Sequence, residues 1–374
     1  MIYLDNAATT KMSEKALDAY VDACRNFFAN PSALHSYGME AENLIRETKK
    51  YIASVISASE FEIFFTKSAT ESNNIVIKSF DGLAITSKIE HPSVYESFKH
   101  SNFEDVLYIE NDRYGFIDED DLRNKLSDKV SFVSIIYVNN ETGTIQNIKK
   151  LSKIIKDYKS DIVIHIDATQ AMGKISCDVN DLGVDIMSFS AHKFHGPKQL
   201  GGLYIRKNVQ PKIKPILDGG YQEIISSGTN NSPAIYAAGI ALKEQIESRK
   251  YDYIKSLNTY LRELIERNIE DVYIISPEKC VSPYILDVAF SNIKAEVLLH
   301  MLEEEEIYVS SGSACSKGEE SRVLNALAVD KKYIDGAIRF SFSSDISKED
   351  IDFTIEVLQK SIEMIRMVMW WNGW

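Results

Sequence analysis

The sequence predicts an α/β fold, with a large domain built on a mostly parallel sheet flanked by helices and a smaller α+β domain. Between about residues 60 and 206, short runs rich in β-branched and aromatic residues alternate with helical patterns, which is typical of parallel sheets. Beyond about residue 270, the predicted strands and helices follow in an α+β arrangement. With 374 residues and 44% apolar side chains, the chain can fill the cores of two domains.

The large domain is expected to begin with two helices, at 13–28 and 39–56, because apolar residues recur there at helical spacing. Asn30 and Pro31 break the chain between them. Six short apolar runs bounded by polar or turn residues then predict strands at 62–65, 83–86, 132–138, 162–166, 186–189 and 203–205.

A cap and a proline at residues 231–233 open a long helical pattern that ends near residue 268 and is expected to connect the domains. We assign 14–248 to the large domain and 249–374, together with 1–13, to the small one. The small domain is predicted to hold strands at 272–276, 285–290 and 337–342 and helices at 295–305 and 348–367. The tail from residue 367 carries all three tryptophans and is expected to pack on its own domain or on a partner.

Charge and hydropathy exclude several functions. A net charge of −13 argues against a nonspecific nucleic-acid surface and against a polybasic membrane patch, since both need excess Lys and Arg. The N-terminus shows no secretory leader, and no run approaches the ~20 apolar residues of a membrane span. We therefore expect small-molecule and protein partners, with no direct nucleic acid and no membrane.

The four cysteines are widely spaced and form no CxxC pair, which argues against a zinc or other metal site and against a disulfide framework. A reducing, cytoplasmic location fits this usage. Cys24, Cys177 and Cys280 are expected to be small buried hydrophobic residues. Cys315 differs because its neighbours are Ser, Gly, Ala and Lys.

Polar residues follow five of the predicted strands. Ligands of parallel α/β sheets bind beyond the carboxyl ends of the strands, so these residues are the first candidates for a site. They are found at 66–74, at His91, and at 139–141, 167–170 and 190–193.

Lys193 gives the strongest indication of function. It follows an apolar strand in a loop of small and polar residues, and an amine held there is placed for carbonyl chemistry, of which Schiff-base formation with a pyridoxal cofactor is the commonest. Cys315 lies in a second small-residue loop, at 310–316. A Schiff-base lysine and a thiol on a small-residue loop together suggest sulfur chemistry.

Other residues at the same edge have two interpretations each. Asp167 could pair with a protonated pyridine nitrogen or cap the next helix. The 66–74 segment, including Ala69 and Thr70, opens a helix and could hold a phosphate or be an ordinary N-cap. Ser190 and His192 could add phosphate donors, although a loop hydroxyl usually bonds to local backbone groups.

The remaining candidates suit a flat ring and an amino acid. His91 could stack on the ring and move protons, or be a surface residue. Asn140 and Gln170 suit a phenolic oxygen or a carboxylate. Arg339 interrupts an apolar strand, and its guanidinium fits a substrate carboxylate.

At this point the chain resembles the cysteine desulfurases, pyridoxal-phosphate (PLP) enzymes of the class V aminotransferase group and of PLP fold type I, whose large domain has a seven-stranded sheet. The matching motifs fall in the family's order at 3–10 (YLDNAATT), 29–35 (ANPSALH), 69–74 (ATESNN), 90–92 (EHP), 138–143 (VNNETG), 165–170 (HIDATQ), 190–193 (SAHK) and 311–315 (SGSAC).

The resemblance implies a role for each candidate residue around PLP. Lys193 would be the Schiff-base lysine and general base, Asp167 the partner of the pyridine nitrogen, and His91 the stacking residue. Gln170 would bond the phenolic oxygen. The phosphate would be held by Ala69, Thr70, Ser190 and His192, and by Thr229 reaching into the partner's site of a homodimer.

For the reaction, the resemblance implies that Arg339 and Asn140 bind the carboxylate of L-cysteine and that Cys315 accepts the sulfur. The products would be L-alanine and a persulfide on Cys315, which passes sulfur to an iron-sulfur scaffold or a tRNA thiolation enzyme. The alternatives are a selenocysteine lyase or another class V aminotransferase, or a PLP-binding scaffold that has lost turnover.

Three departures from the family pattern bear on these alternatives. Ser226 stands where the family usually has arginine, in a segment (219–229) one residue shorter than usual, and Ser68 stands where glycine is usual. The stretch between Cys315 and Val323 is about two residues shorter than usual.

Overall fold

The computed structural model describes residues 1–220, 223–311 and 321–371. The strands within these ranges are β1 (Ile2–Tyr3), β2 (Ile63–Thr66), β3 (Asp81–Ser87), β4 (Asn102–Ile109), β5 (Val130–Ile136), β6 (Val163–Asp167), β7 (Ile186–Ser190), β8 (Gly201–Ile205), β9 (Val272–Ile274), β10 (Ile285–Phe290), β11 (Ile307–Tyr308), β12 (Ser310–Ser311) and β13 (Ala337–Ser341). The helices are α1 (Glu14–Asn26), α2 (Ser36–Val55), α3 (Ala69–Ser79), α4 (Pro92–Lys99), α5 (Glu119–Lys125), α6 (Ile148–Tyr158), α7 (Val179–Leu182), α8 (Ser232–Glu247), α9 (Tyr251–Asn268), α10 (Ala295–Glu304), α11 (Arg322–Ala326), α12 (Lys331–Ile334) and α13 (Lys348–Trp371).

The central sheet has seven strands in the order β2-β8-β7-β6-β5-β3-β4. All neighbouring pairs are parallel except those of β8, which runs antiparallel to both β2 and β7. This confirms the predicted fold class. The six predicted strands are present, each within two residues of its predicted ends.

The sequence pattern does not predict β4, the edge strand, which pairs only with β3 within the described residues. Its exposed residues include Glu104 and Asp105, so it has no continuous apolar run to mark it as a strand. Charged side chains are common on edge strands because they discourage pairing with other chains.

A second sheet, β12-β13-β10-β9, is built from the C-terminal part of the chain, and the short pair β1-β11 joins the N-terminus to it. Their core combines residues between Ile254 and Ile362 with Ile2, Leu4 and Ala7 from the N-terminus, and it is separate from the core around the large sheet. This distribution supports the domain division at 14–248 and at 249–374 with 1–13, which stays a prediction.

The prediction of one long helix between 231 and 268 was wrong, because the chain forms two helices there, α8 and α9. Arg249, between them, has a left-handed backbone with φ of +50°. Each helix buries its apolar face in a different core: α8 packs on α1 and α2, whereas α9 packs on β10 and α13. One straight helix could not serve both cores.

The prediction of buried cysteines holds for Cys177 only. Cys24 and Cys280 are exposed, which corrects the expectation for both. Cys24 lies on the outer face of α1, and Cys280 lies in the loop between β9 and β10 with φ of +52°. Within the described ranges, no helix has the length and apolarity that crossing a bilayer requires.

Candidate active site

A cleft of about 470 Å³ opens where β5, β6 and β7 end, against the N-terminal segment 5–8 and Arg339 of β13. Ten of the twelve residues proposed from the sequence line this cleft. They are Ala69, Thr70, His91, Asn140, Asp167, Gln170, Ser190, His192, Lys193 and Arg339. Thr229 is exposed in the loop before α8 and does not line it, and Cys315 lies outside the described residues.

Lys193 ends a short 3₁₀ turn that directly follows β7. Its Nζ donates hydrogen bonds to the carbonyl oxygens of Ala7 at 2.6 Å and Ala8 at 2.7 Å. The N-terminal segment is fixed to this turn by Thr10, whose backbone N–H and hydroxyl both donate to the carbonyl of His192. The amine is therefore held at the mouth of the cleft by backbone acceptors.

Asp167 is the last residue of β6 and is 3% exposed. Its Oδ1 accepts a hydrogen bond from the backbone N–H of Thr169, and its Oδ2 accepts one from Asn73 Nδ2, both at 2.9 Å. The carboxylate thus makes the local backbone contact expected of a cap. It also faces the cleft, where each oxygen retains lone pairs for a further donor.

His91 caps α4 and connects to Asp167 through other side chains. Its Nδ1 accepts the backbone N–H of Ser93 at 3.1 Å, so the proton of the neutral ring is on Nε2. Asn73 Nδ2 donates to Ser93 Oγ as well as to Asp167, and Ser93 Oγ lies 2.8 Å from His91 Nδ1. Burial lowers the pKa of His91 below its ordinary value, which favours the neutral ring.

The N-terminus of α3, which the sequence offered as a phosphate site, forms one end of the cleft. Ser68 is the N-cap, with its hydroxyl accepting the N–H of Glu71 at 3.1 Å, while Ala69 and Thr70 begin the helix. Ser68 has φ of −170°, an extended conformation open to any residue, so serine fits where the family usually has glycine. A Cβ on Gly201 would lie 2.3 Å from the carbonyl carbon of Ser68, so β8 passes this close only as glycine.

Ser190 and His192 flank the same end of the cleft. The buried Ser190 hydroxyl donates a long bond, 3.3 Å, to the carbonyl of Leu200, which is the local backbone contact considered from the sequence. Burial and the adjacent Lys193 charge lower the pKa of His192 to about 4. His192 is therefore a neutral imidazole at pH 7, able to donate or accept a hydrogen bond but carrying no positive charge.

Gln170 is buried beside Lys193. Its Nε2 donates to the carbonyl oxygen of Ala7 at 2.9 Å, the same oxygen that accepts from Lys193. Its Oε1 accepts from Lys174 Nζ at 3.1 Å. The amide is thus held from both ends.

Arg339 lies at the opposite side of the cleft. Its Nη2 pairs with Asp5 Oδ1 at 3.0 Å, and its Nη1 donates to the carbonyl oxygen of Asn140 at 2.9 Å. Burial raises the pKa of Asp5, while the Arg339 charge acts in the opposite direction. The guanidinium thus has an anion partner, as the sequence predicted, but in this structure the partner is the chain's own carboxylate.

The cleft fits a ligand that carries both donors and acceptors. Among the residues that the structure describes, Asn140 Oδ1, Thr169 Oγ1 and Arg339 Nε are buried without a hydrogen-bond partner, and all three residues line the cleft. A helix N-terminus, an amine and a buried carboxylate are the groups that a phosphate, an aldehyde and a pyridinium require. The residues present therefore fit PLP.

Asp5, Ala7, Ala8 and Asn73 fall within motifs of the sequence, but no individual role was predicted for them. Asp5, Ala7 and Ala8 line the cleft and contact Arg339 and Lys193. Asn73 links Asp167 with Ser93. A buried polar residue on the second turn of α3 is the signal that could have identified Asn73, whereas the N-terminal segment has no periodic pattern.

Comparison with known proteins gives the family. The model of the class-V aminotransferases matches residues 2–353. Cysteine desulfurase IscS of Dictyoglomus turgidum is 39% identical, over 98% of this chain and 96% of that protein. A solved NifS-like protein is 33% identical with a TM-score of 0.90, and the match covers 97% of this chain and 99% of that one. The solved structure of SspA in complex with cysteine is 28% identical with a TM-score of 0.79, and the match covers 91% of this chain and 99% of that one. The chain therefore belongs to the cysteine desulfurases of the class-V aminotransferase family.

Proposed function

We propose that the chain binds PLP at Lys193 and removes sulfur from L-cysteine, giving L-alanine and a persulfide on Cys315. The observation that carries this proposal is the convergence of an amine, a buried carboxylate and a guanidinium, those of Lys193, Asp167 and Arg339, on one cleft. Family membership supports it, since cysteine desulfurases are PLP-dependent enzymes.

Bound PLP would supply an electron-withdrawing ring that makes the α and β carbons of the amino acid reactive. The protein's contribution is to hold that ring and to keep it polarised. Asp167 would accept a hydrogen bond from the pyridinium N–H and keep that nitrogen protonated, His91 would stack on the ring face, and Gln170 would donate to the phenolic oxygen. The N–H groups of Ala69 and Thr70, with Ser190 and neutral His192, would bind the phosphate.

The carboxylate of L-cysteine would bind between Arg339 and Asn140. Arg339 offers a planar set of donors suited to a carboxylate, and its unpartnered Nε can take part. To do so the substrate must share or replace Asp5 at Nη2. Asn140 would donate from its side-chain Nδ2 to the carboxylate, while its Oδ1, which has no partner in the described part of the chain, can accept from a donor of the ligand.

Lys193 would move the proton between the α carbon and the neighbouring positions, since its Nζ is held at the cleft mouth. In the transfer, the C–S bond of cysteine breaks and an S–S bond to Cys315 forms. The β carbon receives the proton that balances loss of the Cys315 thiol proton, so that alanine leaves. The role of Cys315 rests on its sequence motif.

We also propose that the chain acts as a homodimer, with Thr229 completing the partner's site. Thr229 is exposed and does not line the cleft of its own chain. The segment between α1 and the first turn of α2 exposes apolar side chains, including Leu34 at 97% and Phe28 at 72%. Mixing Lys193→Ala and Thr229→Ala chains tests this: hybrid dimers contain one intact site and should recover activity that neither parent has.

The sulfur acceptor is proposed to be a protein of iron-sulfur assembly or tRNA thiolation, and the location cytoplasmic, as cysteine usage suggests. An acceptor would be identified by transfer of labelled sulfur from the charged enzyme. Recovery of label only as free sulfide would argue against a protein acceptor.

The direct test supplies L-cysteine and a reductant to the purified protein and follows its visible spectrum, sulfide and alanine. Equal amounts of sulfide and alanine, both absent with Lys193→Ala, are expected. Cys315→Ala should retain the cofactor band and its response to cysteine but form no sulfide. A yellow protein that responds to cysteine without releasing sulfide would favour a PLP-binding scaffold, and a colourless one would contradict the proposal.

A further inference from the structure

Lys174 lies just behind the active-site cleft and is not one of the residues that line it. Its Nζ donates to Gln170 Oε1 at 3.1 Å, and on its other side it lies 5.2 Å from the centre of the Tyr284 ring. Together with Tyr284, Lys174 lines a second cavity of about 320 Å³. A lysine amine that lines the second cavity thus donates to Gln170, a residue of the first.

The backbone before Lys174 is fixed. Gly173 has φ of +76°, and a Cβ there would lie 3.1 Å from Leu242 and 3.2 Å from Gln245, so the tight turn depends on glycine. The backbone N–H of Lys174 donates to the carbonyl of Ala171 at 2.9 Å. The side chain is therefore directed toward Gln170 by an ordered turn.

The contact determines which end of the Gln170 amide faces the active site. Below its pKa the amine is an ammonium that can only donate, so it selects the amide oxygen of Gln170. The Nε2 end then faces Ala7, whose carbonyl oxygen takes one proton at 2.9 Å, and the second proton is left for a ligand in the cleft. A charged donor on the oxygen also polarises the amide and strengthens its N–H groups as donors.

The charge of Lys174 is placed to act on the same ligand. Burial lowers the pKa of Lys174 to about 7, and the positive charges of Lys193 and Arg339 contribute. The groups that face it include Gln170 and the phenol of Tyr284, and its charge also interacts with those of Lys193 and Arg339 and with the imidazoles of His192 and His195. Arg249 and Lys250 line the same cavity. No acidic side chain is among the partners given for Lys174 in the described ranges.

We propose that Lys174 is a positioning residue that acts through Gln170 to fix a hydrogen-bond donor on the phenolic oxygen of the bound cofactor and so sets the proton affinity of the cofactor. This rests on the proposed binding of PLP at Lys193. Nothing in the reaction requires Lys174 to touch the substrate. Replacing Lys174 should therefore change the pH dependence of the cofactor's visible spectrum more than it changes the affinity for substrate.

The test titrates the visible band of the holoenzyme against pH. Lys174→Met should raise the midpoint by about one pH unit, because removing one positive charge several ångströms away and weakening one donor both favour the protonated cofactor. Lys174→Ala removes the amine without replacing its bulk and should shift the midpoint equally. Lys174→Arg keeps a donor, with the adjoining cavity as room, and should stay near the wild-type midpoint.

A double-mutant cycle with Gln170→Met decides whether the effect passes through Gln170. If it does, Lys174→Met should shift the midpoint far less in the Gln170→Met background than in the wild type. An equal shift in both backgrounds would contradict the proposal and indicate a direct effect of charge. Lys153→Met, an exposed lysine of α6 paired with Asp157, is the matched control and should leave the midpoint unchanged.

The outcomes separate this inference from the proposed function. A wild-type protein with no visible band would contradict PLP binding itself. If the wild type binds PLP and the Lys174→Met and Lys174→Ala variants show the same midpoint for the visible band as the wild type, only the role of Lys174 is overturned. Circular dichroism of each variant establishes that the comparison is between folded proteins.

Discussion

Two buried carboxylates on opposite sides of the site are treated differently by the fold. Asp167, on the cofactor side, accepts hydrogen bonds from Asn73 and Thr169. Asp287 of β10 lies directly across from Arg339 on the substrate side, is fully buried, and has no partner for either side-chain oxygen among the described residues. The fold gives Asp167 two hydrogen-bond donors, whereas Asp287 lies where a charge is costly.

The same contrast extends to the two halves of the cleft. On the cofactor side, Asp167, His91 and Gln170 are each oriented by other protein groups. On the substrate side, Arg339 depends on a carboxylate of the chain itself, Asp5, and keeps an unpartnered Nε. The cofactor half is therefore prearranged, and the substrate half is arranged so that an incoming carboxylate exchanges partners with it.

The largest effect is expected on the cofactor side. Asp167→Asn should lower kcat/KM for L-cysteine about 10²–10⁴-fold, because loss of a buried charged partner costs ~3–5 kcal/mol and each ~1.4 kcal/mol is a factor of ten. Asp185→Asn is the matched control, since Asp185 is buried in the same sheet and pairs with Lys156 away from the cleft. A loss below tenfold for Asp167→Asn would show that the carboxylate serves the local backbone alone.

A smaller and differently distributed effect is expected on the substrate side. Arg339→Lys should raise KM for L-cysteine about 10–100-fold with a lesser change in kcat, because a point charge replaces a fork that donates to carboxylate and carbonyl at once. Steady-state kinetics at saturating PLP separates the two constants. An equal fall in kcat with an unchanged KM would place Arg339 in the chemical step and remove the contrast between the two halves.

Asp5→Asn tests whether the substrate carboxylate displaces Asp5 from Arg339, and the expected change in KM is only a few-fold. If the substrate exchanges with Asp5, removing the competing charge should lower KM for L-cysteine roughly two- to five-fold, the effect of a partly screened ion pair of ~0.5–1 kcal/mol. The amide still accepts a hydrogen bond from Arg339. A raised KM would show instead that Asp5 orients the guanidinium and does not compete for it.

Much of this site could be predicted from the sequence, because the carboxyl ends of parallel strands meet at one edge. Asp167, Ser190 and Lys193 were found in this way, and Arg339 was found because a guanidinium interrupts an apolar strand. Strand position could not assign a role to the N-terminal segment, because long-range contacts hold it at the cleft: Asp5 bridges to Ser341, and Thr10 donates to the carbonyl of His192.

The burial and charge environment of ionisable side chains also could not be predicted from the sequence. Asp287 occurs in an apolar strand, and a lone carboxylate there gives no indication that it is fully enclosed or that its cross-strand neighbour is Arg339. Lys174 resembles any lysine after a glycine until its contact with Gln170 is known. The enclosure of Asp287 depends on the pairing of β10 with β13, and the surroundings of Lys174 depend on the packing of distant segments, which no local pattern records.

The smallest expected effect concerns stability and follows from the enclosure of Asp287. Burial raises the pKa of Asp287 to about 8, with the neighbouring Glu141 adding to it and Arg339 opposing it. Between about pH 4, where an unfolded aspartate titrates, and pH 8, the folded state holds a proton that the unfolded state has released, so stability falls as pH rises.

Asp287→Asn should remove this contribution. Thermal unfolding of the wild type should show Tm falling from pH 5 to pH 9, and the variant should show a shallower fall and a Tm a few degrees above the wild type at pH 8. Part of the fall should persist in the variant, because burial also raises the pKa of Glu90 to about 8. Parallel curves for the two proteins would mean that Asp287 is ionised in the folded protein, with a partner that stabilises it as Asn73 and Thr169 stabilise Asp167.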